Sequence, residues 1–383
     1  MGAIRGKAYN SCGGTHLCFV YFFGGLAKFL GSGWWNGSNL WRSLIRPPFN
    51  LFSPDAPNQI MLGLLGALLH PNSTRACVVG LGTGTTAGWL AEVAGMQRVD
   101  VIELEPAVAE LATNYFAAVN RNVLSKPNVH LTIGDAREIL LVTGAPYDLI
   151  ISEPSNPYRA GVTSLYTREF YQAVQRRLIP GGIFTQWVQG YDVDAFTIRL
   201  VYATLSSVFP YVETWSTQPG DLLFVCYQQA TNYSVEQLRQ RVQLEPFAEA
   251  LKRIWYTNSA EGVIAHYFAS PALAREIQAQ EHLVNTDDRN LLEYSFARSL
   301  IREHKFNPDQ IMALASRRQF SLPEQLVGKL DISKVDEERS LSFAARLQRF
   351  EIPETVQGEV RNRALAIQAY IDADYATVLR NLP

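Results

Sequence analysis

The sequence predicts an α/β fold: a doubly wound, mostly parallel, Rossmann-like sheet with a helical C-terminal extension. Two observations carry this expectation. From Ala76 onward, short apolar runs alternate with stretches of helical apolar spacing, the rhythm of βα units. The apolar runs also end in a glycine turn or an acid, which is where a parallel sheet presents its ligand-facing loops.

The elements follow in order. "ACVVGLGTG" is a strand feeding a glycine turn, and "TTAGWLAEVAG" is the helix after it. "RVDVIELEP" is a second strand, followed by the helix "AVAELATNYFAAVN" with Pro106 in its first turn. "VHLTIGDAREIL" gives a third strand and turn, and "YDLIISEP" a fourth. "SLYTREFYQAVQRRLIPGG" is a helix stopped by Pro180 and two glycines, and "IFTQWVQGY" is the fifth strand. The helix "AFTIRLVYATLSSVF" then leads to "YVETWSTQPGDLLFVCY", two strands turning at Pro219-Gly220 to form an antiparallel edge. Four regions result: an apolar extension over 1–50, a nucleoside-binding domain over 51–230, a mixed, mostly helical continuation over 231–302, and a charged helical region over 303–383. At its end, "ALAIQAYIDADYATVLRNLP" resembles half of a tetratricopeptide-type hairpin, although one copy makes no array.

Composition narrows the function class. The 383 residues are 47% hydrophobic and 18% charged, with a formal net charge of −2 and no polybasic run. That is a globular profile without a basic face for nucleic acid. Cys12, Cys18, Cys77 and Cys226 form neither a CxxC pair nor a zinc spacing, so no metal is expected. Cys77 and Cys226 sit in apolar strands and read as buried free thiols of a reducing, cytoplasmic compartment. Residues 16–35, apolar and aromatic but interrupted by Lys28 and glycines, are too short for a spanning helix. They read either as a weak interfacial membrane anchor or as a loosely packed extension.

Candidate site residues lie at the strand ends. Gly80, Gly82 and Gly84 form G-x-G-x-G, one residue tighter than the dinucleotide fingerprint, which suits a nucleoside with no pyrophosphate to cradle. Glu103, 23 residues after Gly80, stands where an acid accepts both ribose hydroxyls. Asp135, followed by Ala136, is placed to accept from an adenine amino group. The bland reading of each acid is a solvated helix cap.

From Asp55 to about Tyr227 the chain resembles the spermidine synthase (polyamine aminopropyltransferase) family. The resemblance is nearest to the branch fused to a multi-helix membrane region. It rests on Gln59 and His70-Pro71-Asn72 before the glycine loop, then "VIELEPAV", "GDAREIL", "YDLIISEPSNP" and "SLYTREFY" in order. Val284 to Arg289 ("VNTDDR") resembles that branch's tail motif. The resemblance implies a transferase fold of the S-adenosylmethionine type, decarboxylated S-adenosylmethionine as co-substrate, an amine acceptor, and a homodimer. It places cofactor contacts at Gln59, Glu103 and Asp135, and the catalytic carboxylate at Glu153. A carboxylate at the end of a parallel strand faces the crevice, where it can take a proton from an attacking amine and hold that amine in line.

The acceptor side departs from the pattern. Glu153 is one methylene longer than the family's aspartate, Asn156 replaces a second acid, and Thr83 replaces the acid inside the glycine loop. Recognition of two ammonium groups is thereby weakened. Gln186 at the end of the fifth strand and Tyr191 beyond it are the remaining acceptor-pocket candidates, with packing as the alternative for Tyr191. Two other functions stay open. One is a methyltransferase using intact S-adenosylmethionine, which Thr83 would no longer repel. The other is a non-catalytic binding module.

Overall fold

The computed structural model describes residues 56–142, 144–154, 161–190, 193–218, 220–293 and 306–347, together with 358, 361, 362 and 365. The expectations for residues 1–50 and for the hairpin-like stretch 364–383 lie outside these, apart from the single residue 365. Among the described residues no helix is long and apolar enough to cross a membrane.

The first described element is the buried helix α1 (Ala56–Leu69), after which the chain alternates. Strand β1 (Arg75–Val79) is followed by α2 (Thr85–Leu90), β2 (Arg98–Glu103), α3 (Pro106–Tyr115) and β3 (Val129–Ile133). Next come α4 (Ala136–Leu141), β4 (Tyr147–Ser152), α5 (Arg168–Arg177), β5 (Leu178–Gln189) and α6 (Ala195–Ser206). Strands β6 (Tyr211–Trp215), β7 (Asp221–Tyr227) and β9 (Tyr267–Ala269) complete an eight-stranded sheet of order β3-β2-β1-β4-β5-β7-β6-β9. The first five strands pair in parallel, and β7 runs antiparallel to both β5 and β6. The fold is therefore the doubly wound, Rossmann-like one.

Burial on both faces explains why the strands are continuously apolar rather than alternating. Every residue of β4 is buried. Val78, Leu149, Ile151 and Ile183 join α1 and α2 in one core. Their neighbours Cys77, Val79, Ile150 and Phe184 join α5 and α6 in the other. Burial pushes the Cys77 thiol up to about 12 and raises Cys226 as well, so both are inert side chains of the core.

Two local expectations are corrected. The pair β6–β7 is not the sheet edge: β7 inserts between β5 and β6, and β9 forms the edge. The helix expected to run to Asn120 ends at Tyr115, because Arg121 and Asn122 turn the chain at φ 58 and 54° and Asn120 is drawn inward. Its apolar spacing continues through that turn, so periodicity alone could not show the break. The continuation over 231–302 carries the short β8 (Tyr233–Ser234) and β9, both in sheets, beside its helices.

Described residues beyond 303 pack into both cores. Phe306, Ile311 and Ala315 lie in one, and Leu330 and Val335 in the other. Strand β10 (Leu326–Val327) pairs with β8. Beside β8 the carboxyl of Glu213 is buried on β6 and accepts from Tyr233 Oη at 2.6 Å and Trp215 Nε1 at 3.2 Å.

Burial pushes the Glu213 carboxyl up to about 7 from its ordinary 4.5, against the opposing effect of its hydrogen bonds. The fold thus favours the neutral acid. Its stabilising contribution is complete below pH 4.5 and is lost as pH rises through about 7. Glu213→Gln stays neutral and keeps an acceptor for both donors. We expect this variant to remove a stability loss of roughly 3 kcal/mol at most over that interval. Calorimetric Tm measured across the interval tests this, and equal pH dependence in variant and parent would contradict it.

Candidate functional site

Strand order reverses between β1 and β4, so the loops leaving their C-terminal ends diverge and open a crevice. Residues 80–84 fill the β1 side. Gly80, Gly82 and Gly84 take φ values of 93, 54 and 82°, the left-handed region where a side chain would be strained. The turn is closed by Gly80 N donating to Ile102 O at 2.8 Å and Gly84 N donating to Leu81 O at 2.7 Å.

Glu103 ends β2 beside this loop. Its Oε2 accepts from Leu81 N at 2.9 Å and its Oε1 from Glu105 N at 3.0 Å. One carboxylate therefore fixes the glycine loop while remaining partly exposed. Next to it, Gly134 N donates to Glu103 O at 2.9 Å, which brings the β3 loop alongside. Asp135 is exposed there and caps α4, its Oδ1 accepting from Arg137 N at 2.8 Å. The helix-cap reading of this acid is thus observed, and Ala136 is buried beneath it. Sequence reasoning missed Leu104, which follows Glu103 and is 71% exposed, and Ile133 at the end of β3. An apolar residue directly after a strand-end acid was the signal for Leu104.

Helices α1 and α2 supply the crevice floor. A Cβ at Gly63 would lie 2.6 Å from Thr86 O, so the two helices meet backbone to backbone. That contact brings Gln59 and Thr86 together. The Thr86 hydroxyl lies 2.7 Å from Glu153 Oε2 and 3.0 Å from Gln59 O, sharing its proton between them. Glu153 N donates to Val79 O at 3.3 Å, which seats the start of the β4 loop against β1. The Thr83 hydroxyl donates to Gln59 Oε1 at 2.7 Å and lies 2.8 Å from Thr85 Oγ1. Gln59, the glycine loop and Glu153 thus form one connected network, with Glu103 joined to it through Leu81.

Asn120 braces the loop from behind. Its buried Nδ2 donates to Thr83 O at 2.8 Å and to Ala112 O at 2.9 Å. Sequence reasoning had absorbed it into a helix. Gln186 is fully buried on β5, in register with Ser152, and its Nε2 donates to Trp187 O at 3.1 Å. Gln186 Oε1 and Ser152 Oγ are buried polar atoms with no hydrogen-bond partner among the described residues. Asn156 and Tyr191 lie outside the described residues. No group of three or more His, Cys, Asp or Glu that could hold a metal occurs among the described ones.

Residues 57–219 match the family model described as spermine/spermidine synthase domain. A polyamine aminopropyltransferase of Nitrosomonas europaea is 32% identical over 151 residues, covering 39% of this chain and 46% of that protein. One from Mycobacterium tuberculosis is 36% identical over 109 residues, covering 28% of this chain and 21% of the relative. A solved spermidine synthase in complex with the transition state analogue AdoDATO is 22% identical. Its TM-score is 0.45, with 58% of this chain and 74% of that one covered. The chain spans 46% and 21% of the two curated relatives. The structural likeness is loose, and the fold rests on the strand order itself.

Asn120→Ala removes the amide donor that braces the loop at Thr83 O. The expected destabilisation is about 1–3 kcal/mol, the cost of leaving the buried Thr83 carbonyl without this donor. Denaturant unfolding measures it, and a change below about 0.5 kcal/mol would show that the loop holds without this brace.

Proposed function

We propose that the chain transfers an aminopropyl group from decarboxylated S-adenosylmethionine to an amine acceptor. The observation that carries this reading is the joining of two strand-end carboxylates, Glu103 and Glu153, through one glycine loop.

The residues fit an adenosine moiety. A carboxylate offers about four acceptor positions, and Glu103 uses two of them on backbone N–H groups. The others suit a pair of ribose hydroxyls. Leu104 supplies an exposed apolar surface for a base, and the second oxygen of Asp135 an acceptor for an amino group. The glycine loop lets the sulfonium tail pass close to the backbone, beside Gln59.

Glu153 is the proposed general base. The amine nitrogen attacks the methylene bonded to sulfur, the C–S bond breaks, and its electron pair stays on sulfur as the neutral thioether methylthioadenosine. The carboxylate takes the proton that the nitrogen loses. Thr86, a neutral donor, orients Glu153 without adding charge, so its attraction for the cationic amine is kept. Gln186, Asn156 and Tyr191 are proposed for the acceptor side, where Asn156 and Thr83 in place of acids imply an acceptor other than the usual diamines. The Asn285–Arg289 motif supports placing the chain nearest the membrane-fused branch.

One observation favours a second reading. The Thr83 hydroxyl is occupied by Gln59 and Thr85, leaving no acid inside the loop to repel a carboxylated cofactor. Methyl transfer from S-adenosylmethionine is the alternative, and calorimetry with both nucleosides separates the two.

The test is methylthioadenosine release from decarboxylated S-adenosylmethionine over a panel of amines. Glu153→Gln should slow release about 10²–10⁴-fold while binding the nucleoside as the parent does. Glu103→Ala should weaken nucleoside binding roughly 10- to 100-fold. An absence of release from the parent with every amine would overturn the proposal.

A further inference from the structure

The segment Asn285–Leu292 lies beyond residue 219, where the family match ends, yet it reaches the crevice through one arginine. Arg137 opens α4 two residues after Asp135. Its Nη1 lies 2.7 Å from Ser164 O, 3.3 Å from Thr167 Oγ1 and 2.7 Å from Asp287 Oδ1. Its Nη2 donates to Asp287 Oδ2, which makes the ion pair bidentate. Ser164 and Thr167 belong to the turn that leads into α5.

The tail is itself anchored to that turn. Asp287 N donates to Glu169 Oε2 at 3.0 Å, and Arg168 N donates to Asn285 O at 2.9 Å. Asn285 is fully buried. Its Nδ2 donates to Tyr166 O at 3.1 Å, and its Oδ1 accepts from Leu291 N at 2.7 Å.

We propose that Asp287, seated by Asn285, is a positioning residue of the transfer site. It locks the Arg137 guanidinium so that the turn over residues 161–167 is held against the nucleoside wall proposed for Asp135 and Ala136. This rests on the transfer reading above. An isolated ion pair at a partly exposed site contributes little stability. This one differs because a planar fork joins three chain segments at fixed angles, which a point charge cannot do. The Arg137 hydrogen bonds hold the Asp287 carboxyl below the usual carboxylate range, so the pair stays charged at neutral pH.

Asp287→Asn and Arg137→Lys test the inference, with the adjacent Asp288→Asn as control. The first two variants should raise the amine KM and lower kcat, together reducing kcat/KM at least tenfold. Their affinity for methylthioadenosine should stay within about twofold of the parent. Hydrogen exchange at 161–167 should quicken in both and stay unchanged in the control. Exchange is read without turnover, so a parent that transfers nothing would end the transfer reading while leaving the lock testable. Unchanged exchange at 161–167 would overturn the inference, and so would a parallel loss of nucleoside affinity, amine kinetics and Tm.

Discussion

The glycine loop between β1 and α2 is the constraint on which the rest of the crevice depends. Three of its five residues, Gly80, Gly82 and Gly84, hold positive φ, a conformation that loses chain entropy and persists only when its surroundings fix it. The Glu103 carboxylate fixes it at Leu81 N and the Asn120 amide fixes it at Thr83 O. The loop then sets where α2 starts. Through the close approach at Gly63, α2 in turn sets where Thr86 meets Gln59 and Glu153.

This arrangement gives single groups two tasks. Glu103 accepts one backbone N–H on each oxygen, bracing the loop at Leu81, and remains partly exposed. Thr83, inside the loop, holds Gln59 in place through its hydroxyl. Charge at the crevice is concentrated on strand-end carboxylates, which suits a cationic ligand tail better than an anionic one.

The described residues beyond the first seven strands are bound into the same sheet and cores. Side chains after residue 303 complete both cores, and Tyr233 on β8 reaches the buried Glu213 of β6. Asn285 and Asp287 join the turn that leads into α5 to the start of α4. Described residues far along the chain thus reach the region of the site without lying in the segment that carries its motifs.

The alternation of apolar runs with helical periodicity, and the acids and glycines at strand ends, were legible in the residues. They depend on local spacing and on the rule that strand C-termini face the crevice. Asp135 was legible as a cap, and Gln59 through the motifs around it. The break before Asn120, the insertion of β7 between β5 and β6, and the meeting of Thr86 with Glu153 were not. Each depends on contacts between residues distant in the chain, such as Asn120 with Thr83 or Arg137 with Asp287, which no periodicity encodes. The sequence by itself determined which residues could bind or take a proton. Tertiary packing decided which of them share one loop, because hydrogen-bond geometry exists only once the sheet and helices have closed around it.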